Sequence, residues 1–250
     1  MSSNLITIRS SDSAHWYTKD GAPRHDATLR EARKEGLYGS VTNIIGIKAK
    51  PQLTNWLIAQ ALGQALTLPR IAGESDDAFI SRVMASDAEE RAKAPDLGSA
   101  VHAYLASWMG FGETLPAPMD LYYVCEWLDK HTVPKDVEYR FCYPTLGYAG
   151  CIDFRGKVDG REALIDYKTQ GVKNGKPTYY PEFCWQLIAY AAGQMEIDLY
   201  SVVIDTANPG MFHEPKLWKA DDKEWAWKGF LGLRNAWFAD KKYMPEGVTA

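Results

Sequence analysis

Cysteine pairs, long apolar runs and an excess of basic charge are all missing from this chain of 250 residues. The four cysteines, Cys125, Cys142, Cys151 and Cys184, form no Cys-x-x-Cys pair. That spacing excludes a zinc knuckle or a disulfide framework and reads as reduced core thiols. No apolar run approaches the roughly 20 residues of a membrane span. The opening MSSNLITIRSSDS has neither a basic start nor an apolar stretch of the secretory kind. No membrane contact is expected, and the cytoplasm is the default location. A net charge of −4 argues against a protein that coats nucleic acid through bulk charge and leaves room for a local basic groove. Internal repeats and low-complexity segments are also lacking.

What is present is an ordinary soluble composition, 46% hydrophobic and 24% charged, with length enough for one large domain carrying a lobe. Residues 1–95 read as an N-terminal arm and helical lobe of the same domain, and residues 96–250 as the core with a C-terminal helix. Pro51 opens a helix over 51–66 with Leu53, Trp56, Leu57, Ala61 and Leu62 at helical spacing. A charged helix near 75–92 follows, then a separate one whose stripe is Leu97, Val101, Leu105 and Trp108. After a helix around 119–131 the period changes to two from Val137 to Tyr143. A hairpin comes next, then a helix over 181–195 with Phe183, Leu187, Ala191 and Met195 inward. Strands over 199–205 and 211–218 and a tryptophan-rich helix from 221 complete the order.

The stretch CIDFRGKVDGREALIDYKTQ, residues 151–170, carries the chemistry. Asp159-Gly160 between alternating runs predicts a two-residue type I′ turn. Opposed residues then have numbers summing to 319, as Asp153 and Asp166 do. They are expected to face each other with Cβ atoms roughly 5 Å apart. Lys168 is expected on the face of Leu164 and Asp166, across from Cys151. Of two opposed carboxylates in an apolar strand, one tends to stay protonated unless a cation sits between them; a divalent ion is the economical answer, and oxygen donors favour Mg²⁺ or Mn²⁺.

These residues resemble the PD-(D/E)XK nuclease signature of RecB-like domains: Gly150-Cys151-Ile152-Asp153, then Ile165-Asp166-Tyr167-Lys168-Thr169. Gly98-Ser99-Ala100-Val101-His102 resembles the upstream Gly-Ser/Thr-x-x-His helix of that family, and Gln186-Leu187-Ile188-Ala189-Tyr190 its downstream Gln-x-x-x-Tyr helix. Residues 39–62 are similar to the Ser-Val-Thr helix start of bacteriophage exonucleases of the superfamily, with Gly39 where a proline often stands. The resemblance implies an α/β fold with a central mixed sheet flanked by helices, and a metal-dependent DNA exonuclease. A flap or structure-specific endonuclease on the same core and a non-catalytic nucleic-acid-binding relative remain as alternatives.

The resemblance also implies roles. Asp153, Asp166, the Tyr167 carbonyl and His102 would hold Mg²⁺ or Mn²⁺. Lys168 would act on the attacking water and the phosphate, with Glu138 as a further catalytic acid, and Gln186 and Tyr190 would hold the substrate strand or buttress the site. No iron-sulfur cluster is expected, since no cysteine follows Cys184, and no zinc. DNA of unassigned strandedness is the expected partner, with a recombination or replication protein as a further possibility and the host cytoplasm as the location if the chain is phage-encoded. Arg30, Arg33, Lys34, Lys48 and Lys50 are candidate phosphate contacts.

Overall fold

The computed structural model describes residues 16–49 and 51–248. The side chains of Leu53 and Trp56, part of the stripe expected over 51–66, lie outside the described residues, as do Lys50 and the arm before Trp16. Eight strands are described: β1 (Trp16–Tyr17), β2 (Pro23–Arg24), β3 (Tyr38–Ser40), β4 (Thr132–Tyr143), β5 (Tyr148–Val158), β6 (Arg161–Gln170), β7 (Asp198–Asp205) and β8 (Lys216–Leu217). The helices are α1 (Leu29–Glu35), α2 (Val41–Gly46), α3 (Pro51–Thr67), α4 (Asp76–Trp108), α5 (Tyr122–His131), α6 (Pro181–Tyr190) and α7 (Ala220–Lys241). They fall into two units, one made of Met1–Ile47 with Leu121–Ala250, the other of Lys48–Asp120. The boundary at 95/96 read from the sequence lies inside α4.

The first unit is an α/β layer structure on an open mixed sheet of order β2-β1-β3-β5-β6-β7-β8, with β4 on the remaining edge of β5. Antiparallel β4 runs along β5 from Tyr148 to Val158. The other edge of β5 is shared: β3 pairs in parallel with Tyr148 and Ala149, and β6 pairs antiparallel from Phe154 to Val158. Residues Gly150 to Asp153 therefore lie in a fork between two partners. Beyond it β6 continues in parallel with β7 from Ala163 to Asp205. Ala163, Leu164 and Ile165 are buried, as an apolar run in a central strand requires.

Ile44 of α2, Leu187 and Ile188 of α6 and Phe230 and Trp237 of α7 share one buried cluster with Tyr148, Leu164 and Leu199 of the sheet. Ser40 caps α2, its Oγ accepting from the amide of Asn43 at 3.1 Å, which is the helix start expected of Ser40-Val41-Thr42. A Cβ at Gly39 would lie 2.7 Å from the Trp237 ring, so the close docking of α7 requires glycine there.

Three elements differ from the sequence reading. The helices expected near 75–92 and over the 97–108 stripe form one helix, α4, that passes through Pro95. Proline removes one amide, at about 3 kcal/mol, without preventing the turns on either side. Within the expected stripe Val101 and Leu105 are fully buried, whereas Trp108 is 48% exposed. Helix α6 stops at Tyr190, because Ala192 and Gly193 take positive φ and the Gly193 amide turns back to the Ile188 carbonyl at 2.9 Å. A side chain at Gly193 would strike Trp227 at 2.6 Å, and Met195, expected inside, is exposed. The strand expected over 211–218 is reduced to Lys216–Leu217, the stretch after Pro215. Among the described residues no helix is long and apolar enough to cross a membrane.

Candidate functional site

The β5–β6 turn has the expected form, with φ of 48° at Asp159 and 82° at Gly160. Its register is also the expected one: Val158 pairs with Arg161 and Phe154 with Ile165. The ladder ends there, one position short of Asp153 and Asp166. In place of a cross-strand pair, the Oδ2 of Asp153 accepts the backbone N–H of Tyr167 at 2.8 Å. A side chain thus takes the amide that the next rung would have used, and the strands part at the fork.

Lys168 is not across from Cys151 as expected. Cys151 pairs with Arg140 of β4, and Lys168 with Val203 of β7. The Lys168 ammonium turns to Asp166, 3.0 Å from Oδ1 and 2.8 Å from Oδ2. Asp166 is 1% exposed and Asp153 8%, so both carboxylates are buried and both are compensated, one by an ammonium and one by an amide. The cation demanded by the sequence reading is in part supplied by Lys168.

The lysine also joins α6. Its Nζ donates to Gln186 Oε1 at 3.0 Å, and Gln186 Nε2 donates to the Tyr190 hydroxyl at 2.7 Å. Gln186 and Tyr190 are four apart and so share one side of the helix. Tyr190 is buried. Burial, followed by the fields of Asp166 and Asp153, holds its phenol well above the usual range, against the opposing effect of the Gln186 bond, and it stays a neutral hydroxyl. The hydroxyls of Tyr143 and Tyr148 donate to the carbonyls of Tyr190 and Ala189 at 2.8 and 2.9 Å, fixing the last turn of α6. Gly150 lets this helix approach: a Cβ there would sit 3.0 Å from Phe141 and 3.1 Å from Tyr190.

Glu138 lies on β4 between the Val137–Phe154 and Tyr139–Ile152 pairs, across from Asp153. Its φ is +50°, a left-handed conformation that costs a side-chain-bearing residue on the order of 1 kcal/mol and gathers at functional positions. Cys151 Sγ lies 3.5 Å from its Oε2. Burial, then the charge of Glu138, pushes the Cys151 thiol up to about 12.

His102 lies half-buried on α4, in the other unit. Of the candidate phosphate contacts, Arg33 donates to the Lys241 carbonyl at 2.5 Å and so ties α1 to the end of α7. Arg30 and Lys34 are exposed on α1.

Two neighbours of the fork were not foreseen. Burial, then Cys151, raises the pKa of the Tyr17 phenol, with Arg140 acting against and Glu138 with that shift. Tyr17 sits in a polar, turn-rich stretch, and only the β1–β3–β5 pairing brings it to the fork. No protein-family model and no curated protein matches the chain.

Proposed function

We propose that the chain is a metal-dependent deoxyribonuclease of the PD-(D/E)XK type, acting as an exonuclease on phosphodiester bonds at the β5–β6 fork. The observation that carries this reading is the bonded series Asp166, Lys168, Gln186 and Tyr190. It joins the Asp-x-Lys motif of a strand to the Gln-x-x-x-Tyr motif of a helix. A chance match of either motif gives no reason for the glutamine to grip the lysine.

The donors of this unit, the Asp153 and Asp166 carboxylates with the Tyr167 carbonyl, are all oxygen, which suits Mg²⁺ or Mn²⁺. The part of His102 in the reading rests on its Gly98–His102 motif. A divalent ion, when bound, lowers the pKa of a water and polarises a phosphate. Asp153 is oriented for its part by the Tyr167 amide. The Lys168 ammonium, held by Asp166, faces the negative charge that develops on the phosphate. Gln186 aims the ammonium, and the neutral Tyr190 hydroxyl aims Gln186.

The reading is tested with end-labelled linear and covalently closed circular DNA of one sequence, in Mg²⁺ and in Mn²⁺. Loss of the linear form alone is the expected result. Cutting of the circle would replace the exonuclease with an endonuclease on the same core.

A further inference from the structure

We infer that Arg140 is a backbone-phosphate contact of the substrate strand beside the carboxylate fork, an inference that rests on the nuclease reading. Arg140 pairs in register with Cys151, two residues before Asp153, and follows Glu138 by two positions on β4. Cys151 in turn touches Glu138 at 3.5 Å. The strand register therefore places Arg140 near the acids that would meet the scissile phosphate.

Among the arginines on the described strands, its exposure and its lack of a carboxylate partner set it apart. Arg24 pairs with Glu35, Arg70 with Asp76, Arg82 with Glu74, Arg155 with Asp136 and Arg161 with Asp198. Arg140 is exposed, and among the described residues no carboxylate pairs with it. An unpaired guanidinium next to acidic groups is what a polyanion needs in order to approach them, and its planar donors suit phosphate oxygens.

The backbone beneath Arg140 is held in place. Gly21, at φ +85°, lets the β1–β2 turn lie against it, a Cβ there reaching the Arg140 carbonyl at 3.6 Å. Within that turn the Thr18 hydroxyl donates to the Asp20 carboxylate at 2.5 Å.

The test is the salt dependence of binding a fluorescent single-stranded oligonucleotide, with Ca²⁺ in place of Mg²⁺, for the wild type, Arg140→Ala, Arg140→Lys and the charge control Lys228→Ala. Each phosphate contact contributes about 0.7 to the slope of log affinity against log salt on a single strand. Arg140→Ala is expected to weaken binding about fivefold at 0.1 M salt and to lower the slope by about 0.7. Arg140→Lys should keep the slope, and Lys228→Ala should leave it unchanged. An unchanged slope in Arg140→Ala, with wild-type cleavage intact, overturns the inference and leaves the nuclease reading standing. Lost cleavage with an unchanged slope also overturns it, making Arg140 a support for Glu138. Wild-type protein that neither binds nor cuts DNA overturns the nuclease reading and the inference together. Melting temperatures of the two Arg140 variants, expected to match wild type because no carboxylate among the described residues pairs with that side chain, exclude misfolding as the cause.

Discussion

Lys168 on β6 donates to Gln186 on α6 across 3.0 Å while holding Asp166 at 2.8 Å. One ammonium therefore fixes a helix and neutralises a carboxylate that is almost fully buried. Lys168→Met removes that ammonium from the carboxylate. We expect it to cost about 2 kcal/mol in chelator, less than the 3–5 kcal/mol of a fully buried pair because the lysine is partly exposed. Removing Lys228 from its exposed pair with Glu224 should cost under about 1 kcal/mol. Urea unfolding of both variants checks the difference, and an equal cost would show that Lys168 does not stabilise Asp166. If the nuclease reading holds, Lys168→Met also lowers kcat about a hundredfold or more.

Gly150→Ala places a methyl group against Phe141 and Tyr190, at 3.0 and 3.1 Å. Overpacking of this kind costs about 1–3 kcal/mol, and the displaced Tyr190 should loosen Gln186 and hence Lys168. Gly46→Ala meets nothing within 4 Å and should be neutral or slightly stabilising. Chemical denaturation of the pair is the check. A Gly150→Ala variant as stable as wild type would mean that α6 is not pressed on β5.

The native thiols should be slow. Burial raises Cys151 and Cys184 to about 12 and Cys142 to about 11. Three units above the ordinary value of 9 leave about a thousandfold less thiolate at pH 8 for Cys151. Iodoacetamide at pH 8 should label the folded protein far more slowly than the urea-unfolded chain, as read site by site by mass spectrometry. Rapid native labelling of Cys151 would contradict its placement against Glu138.

Asp205 closes the ends of β6 and β7, its Oδ1 accepting from the amides of Val172, Ala207 and Asn208. Burial raises its pKa, but the Asn208 side chain and those three amides outweigh burial and hold it near 2, below its usual 3.8. A lowered pKa stabilises the fold above about pH 4, and that stability is lost as pH falls towards 2. Allowing for solvent screening, the contribution is about 1–2 kcal/mol. Asp205→Asn should be less stable than wild type at pH 7 and converge with it below about pH 2.5. A constant difference across that window would refute the titration.

Local signals explain why so much of the hairpin was legible. The Asp159-Gly160 turn and the alternation around it fixed five ladder pairs, and Gln186 and Tyr190 met as their spacing required. The parting of the strands was not legible, because it depends on the Asp153 side chain capturing the Tyr167 amide, a tertiary event with no pattern in the chain. The left-handed Glu138, with no glycine or turn signal, was hidden for the same reason. The two helices expected near 75–92 and over the 97–108 stripe run together as α4. Arg140 was not singled out although Glu138 two residues earlier was, because its place opposite Cys151 depends on the β4–β5 register.

The most direct measurement is metal-dependent cleavage of DNA by the wild type beside Asp166→Asn, with binding followed in the same samples. The wild type should degrade linear DNA in Mg²⁺ or Mn²⁺ and stop on chelation, and Asp166→Asn should bind DNA yet cut at least about a hundredfold more slowly. Equal cutting by the two proteins, or none by the wild type under any divalent ion, would contradict a hydrolytic site at the β5–β6 fork.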